Sequence, residues 1–135
     1  MQKGSNDCGC DKMCLNMDKI IIKGACFSCS IGLSEEERRK KQKIGIDVEL
    51  FLSTRKAAKT DSIKNTINYS EVYNLLKNIV EKNNCRLIEK MAENISEQIL
   101  SKYSVEKVIV KIKKPEALAG RNVKYAAVEI ERKNG

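Results

Sequence analysis

Glu89 stands beside an apolar helical stripe, where a carboxylate has three uses. In the stretch that opens Arg86-Leu87-Ile88-Glu89-Lys90-Met91-Ala92-Glu93, the residues Ile88, Met91, Ala92, Ile95 and Ile99 recur at helical spacing. At about 100° per residue, Glu89 falls roughly a quarter turn off that stripe. It can be a solvated charge, a partner for the helix N-terminal dipole, or a binding group at the rim of a cleft. Lys114 is the second such residue. Val108, Val110 and Ile112 alternate as in a strand, and Lys114 shares their parity. It ends the strand on the apolar side, where Pro115 stops continuation, whereas Lys107, Lys111 and Lys113 take the other face.

The chain has no histidine. That excludes a His general base, His-dependent nucleophilic dyads and His-ligated zinc. Acid–base chemistry must then fall to Lys, Tyr, Glu, Asp or Cys. Cys8, Cys10 and Cys14, with Cys26 and Cys29, have spacings at which thiolates can bind zinc. Against this, Cys26 and Cys29 lie in an extended, partly apolar segment, and the alternative is reduced thiols without a function. Cys85 stands alone. No metal site and no cofactor are expected.

The net charge is +8, but basic residues are interleaved with acids, as in Glu35-Glu36-Glu37-Arg38-Arg39-Lys40-Lys41. With no Trp and two Phe, the chain offers poor platforms for base stacking, so no nucleic acid is expected. The charge suits anionic small molecules equally well. No apolar run approaches the roughly 20 residues of a membrane span, and the N-terminus lacks a signal-peptide core. A cytoplasmic location without membrane contact is expected.

One domain of ordinary size must position Glu89 and Lys114. Residues 1–16 read as a polar, cysteine-containing extension, and residues 17–135 as the domain, with Met17 an alternative start. A first strand is expected over 19–30, then a charged turn over 32–42. Ile44, Ile46, Val48, Leu50 and Leu52 give a long strand with one buried face. A mixed connection over 54–67 includes a helical turn near 55–59. Asn68 reads as a helix N-cap with Glu71 as its capping-box partner, which puts Tyr69 in the first turn. Val72, Leu75, Leu76, Ile79 and Val80 stripe that helix. Asn83-Asn84 breaks it, and a second helix covers 87–103. A third strand ends at Lys114. A last strand over 122–132 buries Ala126, Val128 and Ile130. The order β-β-α-α-β-β predicts an α+β domain with two helices on the inner face of one antiparallel sheet.

From Met17 onward the chain resembles dihydroneopterin aldolase of folate biosynthesis. The resemblance rests on several motifs in order: Ile31-Gly32-Leu33-Ser34-Glu35-Glu36-Glu37 with Gln42, Arg55-Lys56-Ala57-Ala58-Lys59-Thr60-Asp61, Thr66-Ile67-Asn68-Tyr69-Ser70-Glu71-Val72, Leu87-Ile88-Glu89-Lys90-Met91-Ala92-Glu93, and Lys113-Lys114-Pro115-Glu116-Ala117-Leu118 followed by Val128-Glu129-Ile130-Glu131-Arg132. The extension lies outside the family pattern.

This resemblance implies the tunnelling fold (T-fold), in which small subunits join their sheets into a barrel around a central hole. It implies homo-oligomers, with rings of four that usually stack into octamers and active sites between neighbouring subunits. It implies a lyase that splits 7,8-dihydroneopterin into 6-hydroxymethyl-7,8-dihydropterin and glycolaldehyde, with neither metal nor Schiff base, because the substrate's own ring C=N accepts the electrons. Lys114 matches the general acid/base, working through a bound water, and the adjacent cations Lys111 and Lys113 would make it readier to give up its proton. Tyr69 matches the tyrosine that helps protonate the enol-like intermediate, reaching in from the neighbouring subunit. Glu37 matches a carboxylate near the substrate's hydroxylated side chain. Glu89 matches the pterin anchor, with the Ile88–Glu89 backbone completing that edge. Other T-fold pterin enzymes, of the GTP cyclohydrolase and pyruvoyl-tetrahydropterin synthase types, use His-ligated zinc and do not fit. The alternative is the related epimerase of dihydroneopterin triphosphate, although Lys114-Pro115 followed by Glu-Ala-Leu looks more like the aldolase. More distant is a basic, non-enzymatic binding module.

Overall fold

A computed structural model describes residues 17–118 and 120–134. The extension at residues 1–16, with Cys8, Cys10 and Cys14, lies outside them. Four strands, β1 (Asp18–Cys29), β2 (Gln42–Leu52), β3 (Lys107–Lys114) and β4 (Ala126–Lys133), form one antiparallel sheet in the order β1-β2-β3-β4. Short helices α1 (Glu35–Arg39) and α2 (Arg55–Thr60) and a 3-10 turn at Ile63–Asn65 fill the connections. The long helices are α3 (Tyr69–Glu81) and α4 (Ile88–Lys102). Both pack on one face of the sheet, α3 over β1 and α4 over β3 and β4.

The core follows from periodicity. Ile44, Ile46, Val48, Leu50 and Leu52 of β2 are all buried, as are Val108, Val110 and Ile112 of β3. They meet Val72, Leu76, Ile79 and Val80 of α3, and Ile88, Met91, Ala92, Ile95 and Ile99 of α4. The opposite face is a charged lattice, with Lys19 paired to Glu49 (2.8 Å), Lys113 to Asp47 (3.3 Å) and Lys107 to Glu131 (3.6 Å). Among the described residues no helix is long and apolar enough to cross a membrane.

β1 carries a bulge that simple alternation does not reveal. Ile22 pairs with Val48 but Ala25 pairs with Ile46, so Lys23 and Gly24 stand opposite Asp47 alone. Gly24 takes φ +78°, which a residue without Cβ adopts freely, and its N–H donates to Asp47 Oδ1 at 2.7 Å. The extra residue switches parity. Ile20 and Ile22 face the helices before it; Ala25, Phe27 and Cys29 do so after it. Both halves of the strand therefore serve one core.

Three sequence expectations need correction. The charged turn over 32–42 contains a helix, α1. Ser34 Oγ accepts from the Glu37 N–H at 3.0 Å, and three glutamates in the first turn and two arginines in the last complement the helix dipole. The last strand begins at Ala126 rather than at 122, because Leu118 O accepts from Arg121 N–H (3.1 Å) in a turn and Gly120 takes φ +86°. Its residues Ala126, Val128 and Ile130 face the helices but are only half-buried, since β4 is an edge strand that the helix layer covers incompletely.

Candidate active site

Glu37 and Lys114, 77 residues apart, meet at one end of the sheet. Lys114 ends β3 on its inner face, as its parity requires, and its side chain is 15% exposed. Its Nζ lies 3.2 Å from Glu37 Oε2. The α1 cap delivers the carboxylate. Ser34 starts the helix and turns Glu37 back over its own N-terminus, where Oε1 accepts from the Leu33 N–H at 3.1 Å. Gln42, the first residue of β2, donates from Nε2 to Ile31 O (2.6 Å) and to Glu37 Oε2 (3.5 Å). Arg38 Nη1 donates to Gly32 O (2.9 Å) and Leu33 O (3.0 Å), fixing the loop to the helix that follows it. Gly32 leaves the space that the carboxylate occupies; a Cβ there would overlap Glu37 Cδ, Cγ and Oε1.

The electrostatics are local. The Lys114 ammonium is the largest influence holding the Glu37 carboxyl below the usual carboxylate range, with the Gln42 and Leu33 N–H bonds adding to it. The expected crowding of Lys114 by Lys111 and Lys113 is absent. Strand alternation sends both to the opposite face, where Lys113 pairs with Asp47 and Lys111 Nζ lies 3.5 Å from the Tyr125 hydroxyl. The charge that faces Lys114 is Glu37. Burial pushes the neighbouring Cys29 thiol up, against the opposing influence of Lys114 and Lys41.

Ile88 and Glu89 open α4. Ile88 is buried and holds the helix against the sheet, while Glu89 is exposed, with no hydrogen-bond partner among the described residues. The α3–α4 turn is tied to the sheet end that carries Lys114: Asn83 Nδ2 donates to Ser30 O at 3.1 Å, and Ser30 directly follows β1, whose end pairs with Gln42. Glu89 follows that turn by a few residues.

Tyr69 is different. It is 65% exposed at the start of α3, where Asn68 Oδ1 accepts from Ser70 N–H at 2.9 Å as the expected N-cap. The expected capping box with Glu71 does not form: the Asn68 side chain takes the Ser70 N–H, and the Glu71 N–H donates to the Asn68 carbonyl instead (3.0 Å). The 13 residues of α3 separate Tyr69 from Asn83 by about 20 Å along the helix axis. Within the chain the structure brings Glu37 and Lys114 together, and leaves Tyr69 at the far end of the layer.

Cys26 and Cys29 cannot grip one ion. Three residues apart in an extended strand, one is exposed and the other buried. Among the described residues, no group of three Cys, Asp or Glu side chains could hold a metal. The sequence reading missed Gln42 and Gly32 as parts of the site, although both stand in the motif it quoted. The signal that would have found the local structure is Ser34 as an N-cap with Glu37 three residues on, hidden in a charge run.

Comparison with known proteins gives the family of the chain. A family model described as dihydroneopterin aldolase (FolB) matches residues 20–131. The dihydroneopterin aldolase of Bacillus subtilis is 36% identical over 118 residues, 87% of this chain and 98% of that protein. Dihydroneopterin aldolase 1 of Arabidopsis thaliana is 36% identical over 117 residues, 85% of this chain and 80% of that one. Escherichia coli dihydroneopterin aldolase, solved in complex with neopterin, superposes with a TM-score of 0.81 at 30% identity, covering 85% of this chain and 98% of that one. The β-β-α-α-β-β order is that of the tunnelling fold, and this chain belongs to the dihydroneopterin aldolase family.

Proposed function

We propose that this chain cleaves 7,8-dihydroneopterin by a retro-aldol reaction to 6-hydroxymethyl-7,8-dihydropterin and glycolaldehyde, in tetrahydrofolate biosynthesis. The observation that carries the reading is the Glu37–Lys114 pair at 3.2 Å, an acid–base couple set at a sheet end in a chain of this family. Cleavage needs a base for a side-chain hydroxyl proton and a sink for the electrons of the broken bond. The ring C=N beside the side chain is the sink. The deprotonated oxygen becomes the glycolaldehyde carbonyl, the carbon–carbon bond breaks, and its electron pair moves into the ring. A proton then returns to the carbon left on the pterin. The enzyme supplies only positioning and proton transfer, so the step draws on neither a metal nor a Schiff base.

In this proposal Lys114 is the general acid/base, acting through a bound water. Glu37 holds both the ammonium and the hydroxylated side chain of the substrate. Glu89 accepts from the pterin amino group and ring N–H as a bidentate pair, and the Ile88–Glu89 backbone completes that edge. Tyr69 protonates the enol-like intermediate. About 20 Å of helix lies between Tyr69 and the turn next to the Lys114 end, so the tyrosine that serves each site comes from a neighbouring copy. Homo-oligomers follow, with rings of four and stacked octamers as the assembly. The catalytic unit is residues 17–135, with 1–16 an extension, and a cytoplasmic location belongs to the same proposal.

The test is incubation with 7,8-dihydroneopterin, with separation of pterins and trapping of the aldehyde. Both products are expected, and none from assembled protein would overturn the reading. Side epimerase activity would appear in the same assay as a substrate diastereomer. The epimerase alternative predicts turnover of dihydroneopterin triphosphate to its 2′-epimer without aldehyde.

A further inference from the structure

The start of α4 is held on its buried side by Ile88 but lacks a polar cap. Its N-cap position is Leu87, which makes no side-chain capping bond. Yet this turn carries Glu89, and a carboxylate that must meet two N–H groups as a pair needs a set direction. One turn further on, Glu93 occupies the same side of the helix, about 40° round from Glu89. Arg132 of β4 reaches it from the inner face of the sheet. Arg132 Nη2 donates to Glu93 Oε1 at 2.9 Å, and Nε donates to Oε1 (3.2 Å) and Oε2 (3.3 Å). A fork on a carboxylate defines orientation as well as distance, which a lysine cannot do. Arg132 is the first influence holding the Glu93 carboxyl below its ordinary range.

We infer that the Arg132–Glu93 pair is a positioning device, which adds to the buried stripe of α4 a directed tether on its outer side and so sets the bearing of Glu89 toward the pterin edge. The inference rests on Glu89 being the pterin anchor. Arg132 and Glu93 touch no substrate; they act through the helix. The pair is partly exposed, with side chains 42% and 34% accessible, so its removal leaves the domain folded.

The experiment is steady-state kinetics on 7,8-dihydroneopterin with the assembled full chain. Glu93→Ala raises KM by up to about fivefold and leaves kcat near its starting value, because the anchor serves ground and transition states alike. Loss of folding alone would lower apparent kcat at constant KM. In a Glu89→Ala background, Glu93→Ala adds no further rise in KM, since the group it positions is gone. Arg132→Lys, which keeps charge but loses the fork, raises KM in the same direction. The exchanged pair Glu93→Arg with Arg132→Glu recovers part of the loss. An unchanged KM in both Glu93→Ala and Arg132→Lys overturns the inference, as does a full multiplicative effect on top of Glu89→Ala. If Glu89→Ala itself leaves KM unchanged, the anchor assignment fails first and this inference falls with it.

Discussion

Gly32→Ala tests the site most directly, because it adds one methyl group where the carboxylate sits. A Cβ at Gly32 would overlap Glu37 Cγ, Cδ and Oε1, and its φ of +154° disfavours any side chain. The collision is with the end of a flexible side chain, so the fold can relieve it by swinging Glu37 outward. That movement breaks the Leu33 N–H bond (3.1 Å) and the Lys114 pair (3.2 Å). Glu37 is 39% exposed at its side chain, so the ion pair is partly screened and its loss costs about 0.2–1 kcal/mol. Backbone strain adds about 1 kcal/mol. Together these lower the melting temperature by roughly 3–10 °C. Catalysis suffers more. A charge-assisted hydrogen bond contributes about 1.5–3 kcal/mol, so kcat/KM should fall about tenfold to a hundredfold. The assay is kcat/KM for 7,8-dihydroneopterin in Gly32→Ala, Glu37→Ala and the double variant, beside thermal melts. If Gly32 acts by making room for Glu37, the double variant is no slower than Glu37→Ala alone. Wild-type kcat/KM in Gly32→Ala, or losses that multiply in the double variant, would refute this reasoning.

Lys114→Ala should reduce kcat at least a hundredfold, with KM little changed, in the range of lost general acid–base catalysis; near-normal turnover would remove Lys114 from its role. Mixing inactive Lys114→Ala and Tyr69→Phe chains under conditions of subunit exchange should restore part of the activity, because some interfaces then carry both intact residues; no recovery after verified exchange would contradict a shared site. Asp18, Glu37 and Glu93 have carboxyls held low by the Thr54 backbone and hydroxyl, by Lys114 and by Arg132 respectively. Their stabilisation is therefore complete above the ordinary carboxylate value of about 4 and is lost as pH falls through the lowered values, so denaturant midpoints should drop below about pH 4, and less steeply in Glu37→Gln. Gly24→Ala, at φ +78° with nothing within 4 Å of an added Cβ, should cost about 1–2 kcal/mol from backbone strain alone, read by chemical denaturation.

Periodicity alone determined much of this molecule. The stripe Ile88, Met91, Ala92, Ile95 and Ile99 had to be buried, and alternation through Val108, Val110 and Ile112 had to aim Lys114 inward, because side-chain direction follows backbone geometry. Asn68 capped its helix for an equally local reason. The absence of histidine limited the chemistry before any fold was considered. What local rules could not decide was pairing across distance. The bulge at Gly24 changes which residues of β1 face in, and its Gly24 N–H is satisfied by Asp47, 23 positions away. Strand parity made Lys111 and Lys113 neighbours of Lys114 in sequence and strangers to it in space. The burial of β4 stops halfway because edge position belongs to the sheet and not to the strand. Glu37 reads in sequence as one charge in a run of seven; only the meeting of α1 with the end of β3 turns it into the partner of Lys114.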